Sequence, residues 1–252
     1  MELYAEIING TLVQYFQGGS SVTIKDGTQY PGNFPPLDIP NVQTVTLTTQ
    51  PSSTTNNVSG YTVEIVSGVP TQVWNSTPIT VAQAQTRQSG IVRTACANAI
   101  TGGLSFTAST GTTYTLSTTL QDQSNGTSAA LVAQSGMARA GAWAADTAFP
   151  VNSIILSGGQ YYITQTGGTS GASSPTWPTA FGTTVTDGTV AWEIFGMLAG
   201  TLTSVVYLSA PDVVAAYELA VATINAFRAK NAQLQAAIQA ATTVAAVQAV
   251  VW

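Results

Sequence analysis

The chain has 252 residues, eleven acidic and six basic side chains for a formal charge of −5, no histidine and one cysteine. Chemistry at neutral pH draws on imidazoles, paired carboxylates, amines and thiolates, so this composition argues against an enzyme, a metal cage or a bound cofactor. Six cations neutralise few phosphates, which argues against nucleic acid, and no apolar run reaches the ~18 residues of a membrane span.

The first seventeen residues read as a β-hairpin. Leu3 to Ile8 run out, Asn9-Gly10 supplies the two positive-φ residues of a tight turn, and Leu12 to Phe16 return. The opening MELYAEIING lacks a basic segment followed by an apolar run, so no secretory leader is expected. Residues 18–60 are rich in Gly, Pro, Ser and Thr, with one strand expected at Thr44–Thr48 and an extended or turn segment through the prolines at 31–36. Tyr61–Val66 and Gln72–Trp74 form a second expected hairpin around Ser67-Gly68.

At Thr80 the pattern turns helical. Thr80 and Gln83 have the spacing of a capping box, Val81 to Ala99 continue the helix, and Gly102-Gly103 end it. Cys96 falls inside this helix and reads as a small buried hydrophobe. A hairpin follows, with Leu104, Phe106 and Ala108 on one face, a turn near Ser109–Gly111, and Tyr114 and Leu116 returning. Residues 119–135 read as a helix entered through Thr119 or Asp122, weakened by Gly126.

From about 140 to 197 the chain is rich in aromatics. Gly158-Gly159 and Asp187-Gly188 are expected hairpin turns between Ile154–Leu156, Tyr161–Thr164 and Thr189–Phe195, and Gly167 to Pro178 reads as an irregular loop. Thr201–Leu208 is expected as a strand. Ser209 caps the last long helix, with Pro211 near its first turn. That helix runs to about Ala241, breaks at Thr242-Thr243, and leaves a short helical tail.

Two features point to contact functions. In the aromatic stretch, Trp143 and Trp192 are expected in the core. Trp177, between Pro175 and Pro178, is expected to be exposed, and Tyr161 and Tyr162 point to opposite faces by alternation. Aromatic planes flanked by amides and hydroxyls suit sugar rings, so Trp177, Tyr161 and Tyr162 are the candidate glycan contacts. The second feature is a heptad stripe in the last helix. Tyr217, Ile224, Asn231 and Ile238 fall at one seam position, and Ala220, Phe227, Leu234 and Ala241 at the other. A polar Asn within such a seam fixes register and oligomer number. The stripe suits either self-association, with Tyr217, Ile224, Phe227, Asn231, Leu234 and Ile238 as the seam, or packing on the 81–99 helix of the same chain. The scarcity of surface charge favours a chain that assembles with copies of itself.

The succession VAQAQTRQSGIVRTACANAI, GLSFTASTGTTYTL, LQDQSNGTSAALVAQ and TLTSVVYLSAPDVVAAYELAVATINAFRAKNAQLQAAIQAAT resembles a C-terminal domain of unknown function in tailed-bacteriophage tail proteins. LYAEIINGTLVQYF resembles the N-terminal hairpin of phage tail-fibre proteins, and the stretch from WAADTAFPVNSII to VAWEIFG is similar to a small carbohydrate-binding-like module of phage tails. The resemblance implies an α+β multi-module chain. Residues 1–79 would be a β-rich attachment region and 80–139 with 199–252 a helical and hairpin terminal domain, with 140–198 an inserted all-β module. It implies a virion protein made in the host cytoplasm, a tail-fibre or baseplate-fibre connecting subunit, as a homotrimer docked on other tail or baseplate proteins. A receptor-binding tip that contacts host glycan and a fibre-assembly chaperone are the alternatives. It carries no catalytic residues.

Overall fold

Asn9 and Gly10 adopt φ of 51° and 75°, so β1 (Leu3–Ile8) folds straight back as β2 (Thr11–Gln17). The structure, a computed structural model, describes residues 2–252. β3 (Val22–Thr23) and β4 (Gln29–Tyr30) form a small ladder, a 3-10 turn spans Pro36–Asp38, and β5 (Val42–Thr44) pairs with the free edge of β1. β1 is therefore a central strand and buries Leu3, Tyr4, Ala5 and Glu6 in succession rather than alternately. Tyr4 joins Val22, Ile24, Ile39 and Val42 on one side, while Leu3 and Ala5 join Val45 and Val63 on the other.

The strand expected at Thr44–Thr48 is corrected: β5 ends at Thr44. Beyond it the chain changes partners. Val45 N–H donates to the Leu3 carbonyl, but Thr46 N–H donates to Pro70 and Thr46 accepts from Gln72, so the segment crosses between two ladders. The hairpin of β6 (Asn56–Val66) and β7 (Val69–Pro78) turns on Ser67 and Gly68 at φ 50° and 82°. It is longer than expected because a register shift between Val58 and Tyr61 lets pairing continue outward.

Helix α1 (Val81–Thr101) opens on a reciprocal cap. Gln83 N–H donates to Thr80 Oγ1 at 3.2 Å, and Thr80 N–H donates to Gln83 Oε1 at 2.9 Å. After Gly103, at φ 96°, β8 (Leu104–Thr107) and β9 (Thr113–Leu116) form a hairpin. Thr119 caps α2 (Leu120–Ala138). β10 (Gly141–Ala142), β11 (Ala148–Phe149), β12 (Ile154–Ser157), β13 (Gln160–Thr166), β14 (Gly168–Thr169), β15 (Thr184–Asp187) and β16 (Val190–Ile194) follow. Five of them make one sheet in the order β10-β12-β13-β16-β15.

The single strand expected at Thr201–Leu208 is corrected to a hairpin of β17 (Gly196–Gly200) and β18 (Val205–Ser209). Its turn is closed by Thr201 Oγ1, which accepts from Ser204 N–H at 2.9 Å. Ser209 then caps α3 (Ala210–Ala240), and Thr243 caps the short α4 (Val244–Gln248).

Two compact units result: residues 2–88 with Ile238–Val250, and Ser89–Ala237 with Val251–Trp252. In the first, glutamine amides serve the helix ends. Gln85 Nε2 donates to the Ile238, Gln239 and Ala241 carbonyls at 3.1–3.2 Å, and Gln88 Nε2 to Val250 at 2.7 Å. These are carbonyls that a helix terminus leaves without partners. In the second unit the main cluster joins Phe106, Leu116, Ala133, Ile154, Phe195 and Leu208.

Two glycines of α2 have opposite surroundings. A Cβ on Gly136 would lie 2.4 Å from the Phe195 ring, whereas one on Gly126 would meet no atom within 4 Å. Gly136→Ala is expected to lower stability by about 1–3 kcal/mol through overpacking. Gly126→Ala is expected to raise it by about 0.5–1 kcal/mol through helix propensity. Urea unfolding of the two variants checks the opposite signs.

Candidate functional site

The aromatic sheet is organised around one carboxylate. Asp187 ends β15 and is 4% exposed. Its Oδ2 accepts from the Trp143 indole at 2.7 Å and from the Trp192 indole at 3.1 Å, and its Oδ1 from Gly171 N–H at 2.8 Å. A buried carboxylate is costly unless donors surround it, and here every donor is neutral. Trp192 is fully buried, and Trp143 packs against the same cluster.

Trp177 is corrected from an exposed ring to a half-buried one. It stacks on Tyr162 with centroids 4.4 Å apart and meets Trp192 edge-on at 5.8 Å. The loop between the prolines lays its indole on the aromatic face of the sheet, where it joins Trp143, Phe149 and Phe181 in covering Tyr162, Val190 and Trp192. Tyr162 is buried, and that burial raises its phenol pKa. Tyr161 points to the other face and packs on the cluster that includes Ile154 and Phe195. The three candidate glycan contacts therefore split between two faces, and each is in contact with its own unit.

Two further carboxylates work as Asp187 does. Glu6, 1% exposed, accepts from Gln14 Nε2 at 2.7 Å and Lys25 N–H at 3.0 Å. Asp212, 7% exposed, accepts from Ser109 N–H at 2.8 Å and from the hydroxyls of Ser109 and Ser209 at 2.9 and 2.7 Å. It joins the β8–β9 turn to the first turn of α3. Among the described residues no three of His, Cys, Asp and Glu are grouped so as to hold a metal ion, and no helix is long and apolar enough to cross a membrane.

The heptad stripe is the less exposed side of α3. Tyr217, Ile224, Phe227, Asn231 and Leu234 are half-buried, and Ile238 is buried. The middle of the stripe is engaged within the chain. The Phe227 carbonyl accepts from Cys96 Sγ at 3.7 Å. Gln235 Nε2 donates to the Ser89 carbonyl at 3.2 Å and to Asn231 Oδ1 at 3.4 Å. The Phe227 ring packs against Trp252 at 6.0 Å, with Lys230 Nζ 4.6 Å over the indole.

The upper stripe behaves differently. Tyr217, Ala220 and Ile224 line a groove of about 480 Å³ whose other wall is α2, with Gly126 and Ala129, and whose floor is the β17–β18 hairpin. Asp122 stands on the α2 wall and Arg228 on the α3 wall. The hydroxyls of Ser117 and Thr119 donate to Asp122 and hold its pKa below the usual aspartate value. Sequence reasoning placed Tyr217 and Ile224 on a seam but missed the opposite wall. Its one signal was the spacing of Asp122, Gly126 and Ala129, which puts small residues on one face of α2.

Asp187→Ala leaves two indole N–H groups and an amide buried without an acceptor. At roughly 1–3 kcal/mol for each such group, the unfolding midpoint should fall steeply and the near-ultraviolet circular dichroism of the tryptophans should weaken. Asp187→Asn, which retains an acceptor, should lose less. Asp122 has a depressed pKa, so its stabilisation is full above the unfolded value of about 3.9 and disappears as pH falls through the folded value. The melting-temperature gap between the natural chain and Asp122→Asn should therefore be present at neutral pH and close in strong acid.

No family model, curated protein or solved structure was found to match the chain.

Proposed function

We propose that the chain is a structural component of a bacteriophage tail. In this reading it is a tail-fibre or baseplate-fibre connecting subunit that acts by self-assembly, as a homotrimer, and by docking on neighbouring tail proteins in the virion. The observation that carries the reading is where the polar groups go. The buried carboxylates Glu6, Asp187 and Asp212 are spent on N–H and O–H donors of their own unit. Glutamine amides are spent on helix ends. What is left outside is largely hydroxyl, amide and apolar surface, which suits a subunit held among copies and neighbours. The resemblance of the hairpin, helix and long-helix segments to tail proteins points the same way. Trp177, Tyr161 and Tyr162 take packing roles here, and attachment to a host would depend on the assembled tail.

Mass spectrometry of purified particles of the phage that encodes the chain tests this. Its peptides should be present at a fixed ratio to other tail proteins. Their presence in the infected cell but absence from finished particles would contradict a structural role and favour an assembly chaperone.

A further inference from the structure

We infer that the groove between α2 and α3 is the docking surface for a second copy of this chain. The inference rests on the self-assembling reading above and adds where the contact lies.

The upper seam residues Tyr217, Ala220 and Ile224 line this groove. Apolar side chains stay open in its lining. Leu198 and Val205 on the hairpin and Val221 on α3 are 39% to 64% exposed. Exposed apolar groups gathered at one concave place mark an interaction surface, and an apolar centre with a polar rim is the anatomy of an interface.

Charge selects the occupant. The groove carries one carboxylate, Asp122, on one wall and one guanidinium, Arg228, on the other. A strongly charged partner would leave one of them facing a like charge. A second copy brings one of each, so Arg228 of one chain can meet Asp122 of the other, and a chain with so few charges offers little else to repel it. Gly126 leaves room in the α2 wall, since nothing lies within 4 Å of where its Cβ would be.

The test is the solution mass of the full chain at about 10 μM, measured by sedimentation or light scattering, with Gly126→Leu and Arg228→Glu as variants. Leucine at 126 enters the groove without meeting backbone, and glutamate at 228 sets two acids against each other across the contact. Circular dichroism checks that both variants fold, and Arg228→Glu, an exposed site, keeps the test sharp if the leucine variant does not. The natural chain should sediment at a multiple of 25.9 kDa and the folded variants should dissociate at least about tenfold more readily, a change of about 1.4 kcal/mol. An oligomer whose mass neither variant alters would overturn the groove assignment and leave self-assembly standing. A monomeric natural chain would overturn it as well. If that monomer bound anilinonaphthalene sulfonate and Gly126→Leu abolished the binding, the occupant would be a small apolar molecule. The particle composition that tests the tail role is read independently of all these results.

Discussion

Three carboxylates buried without a cation hold the key junctions of this protein. Glu6 ties the first hairpin to the turn at Lys25, Asp187 gathers two indoles and a loop amide, and Asp212 fastens a β-turn to a helix start. A carboxylate taken from water must recover its hydration from donors fixed in place. Here backbone N–H groups, hydroxyls, an amide and two indoles do so. Each junction therefore depends on geometry, because a neutral donor a few tenths of an ångström out of place leaves an acid exposed to a low-dielectric interior.

The same economy runs through the rest of the chain. Carbonyls at helix ends are met by Gln85 and Gln88, and helix starts by Thr80, Thr119, Ser209 and Thr243. Eleven acids and six bases leave few charges for a surface, and large apolar side chains remain open on α2, α3 and the β17–β18 hairpin. Grouped apolar side chains of this kind are where a partner would bury area.

Features whose cause is local were legible in the sequence. Asn9-Gly10 and Gly158-Gly159 make their turns because two adjacent residues must adopt positive φ, and Thr80 with Gln83 makes a cap because three residues of spacing suffice. The alternation at Tyr161 and Tyr162 is equally local. Features set by distant partners were not legible. The segment after Thr44 divides its hydrogen bonds between Leu3 and Pro70, so its own composition does not say where the strand ends. Trp177 sits between prolines and reads as solvent-facing, yet Tyr162 and Trp192 recruit it from strands fifteen residues away in either direction. In α3 the periodic stripe lies on the less exposed side, but periodicity names no partner. Cys96 and Ser89 occupy one part of that stripe, while the groove walls meet only through tertiary packing.

The claim that neutral donors grip buried carboxylates is tested most directly by hydrogen exchange of the five tryptophan indoles, followed by nuclear magnetic resonance. The account predicts that the Trp143 and Trp192 indole protons exchange far more slowly than those of Trp177 and Trp252 and lose that protection together in Asp187→Ala, while the Trp74 indole, which donates to the Thr48 carbonyl at 3.1 Å, keeps its own rate. Exchange of all five at similar rates would contradict it.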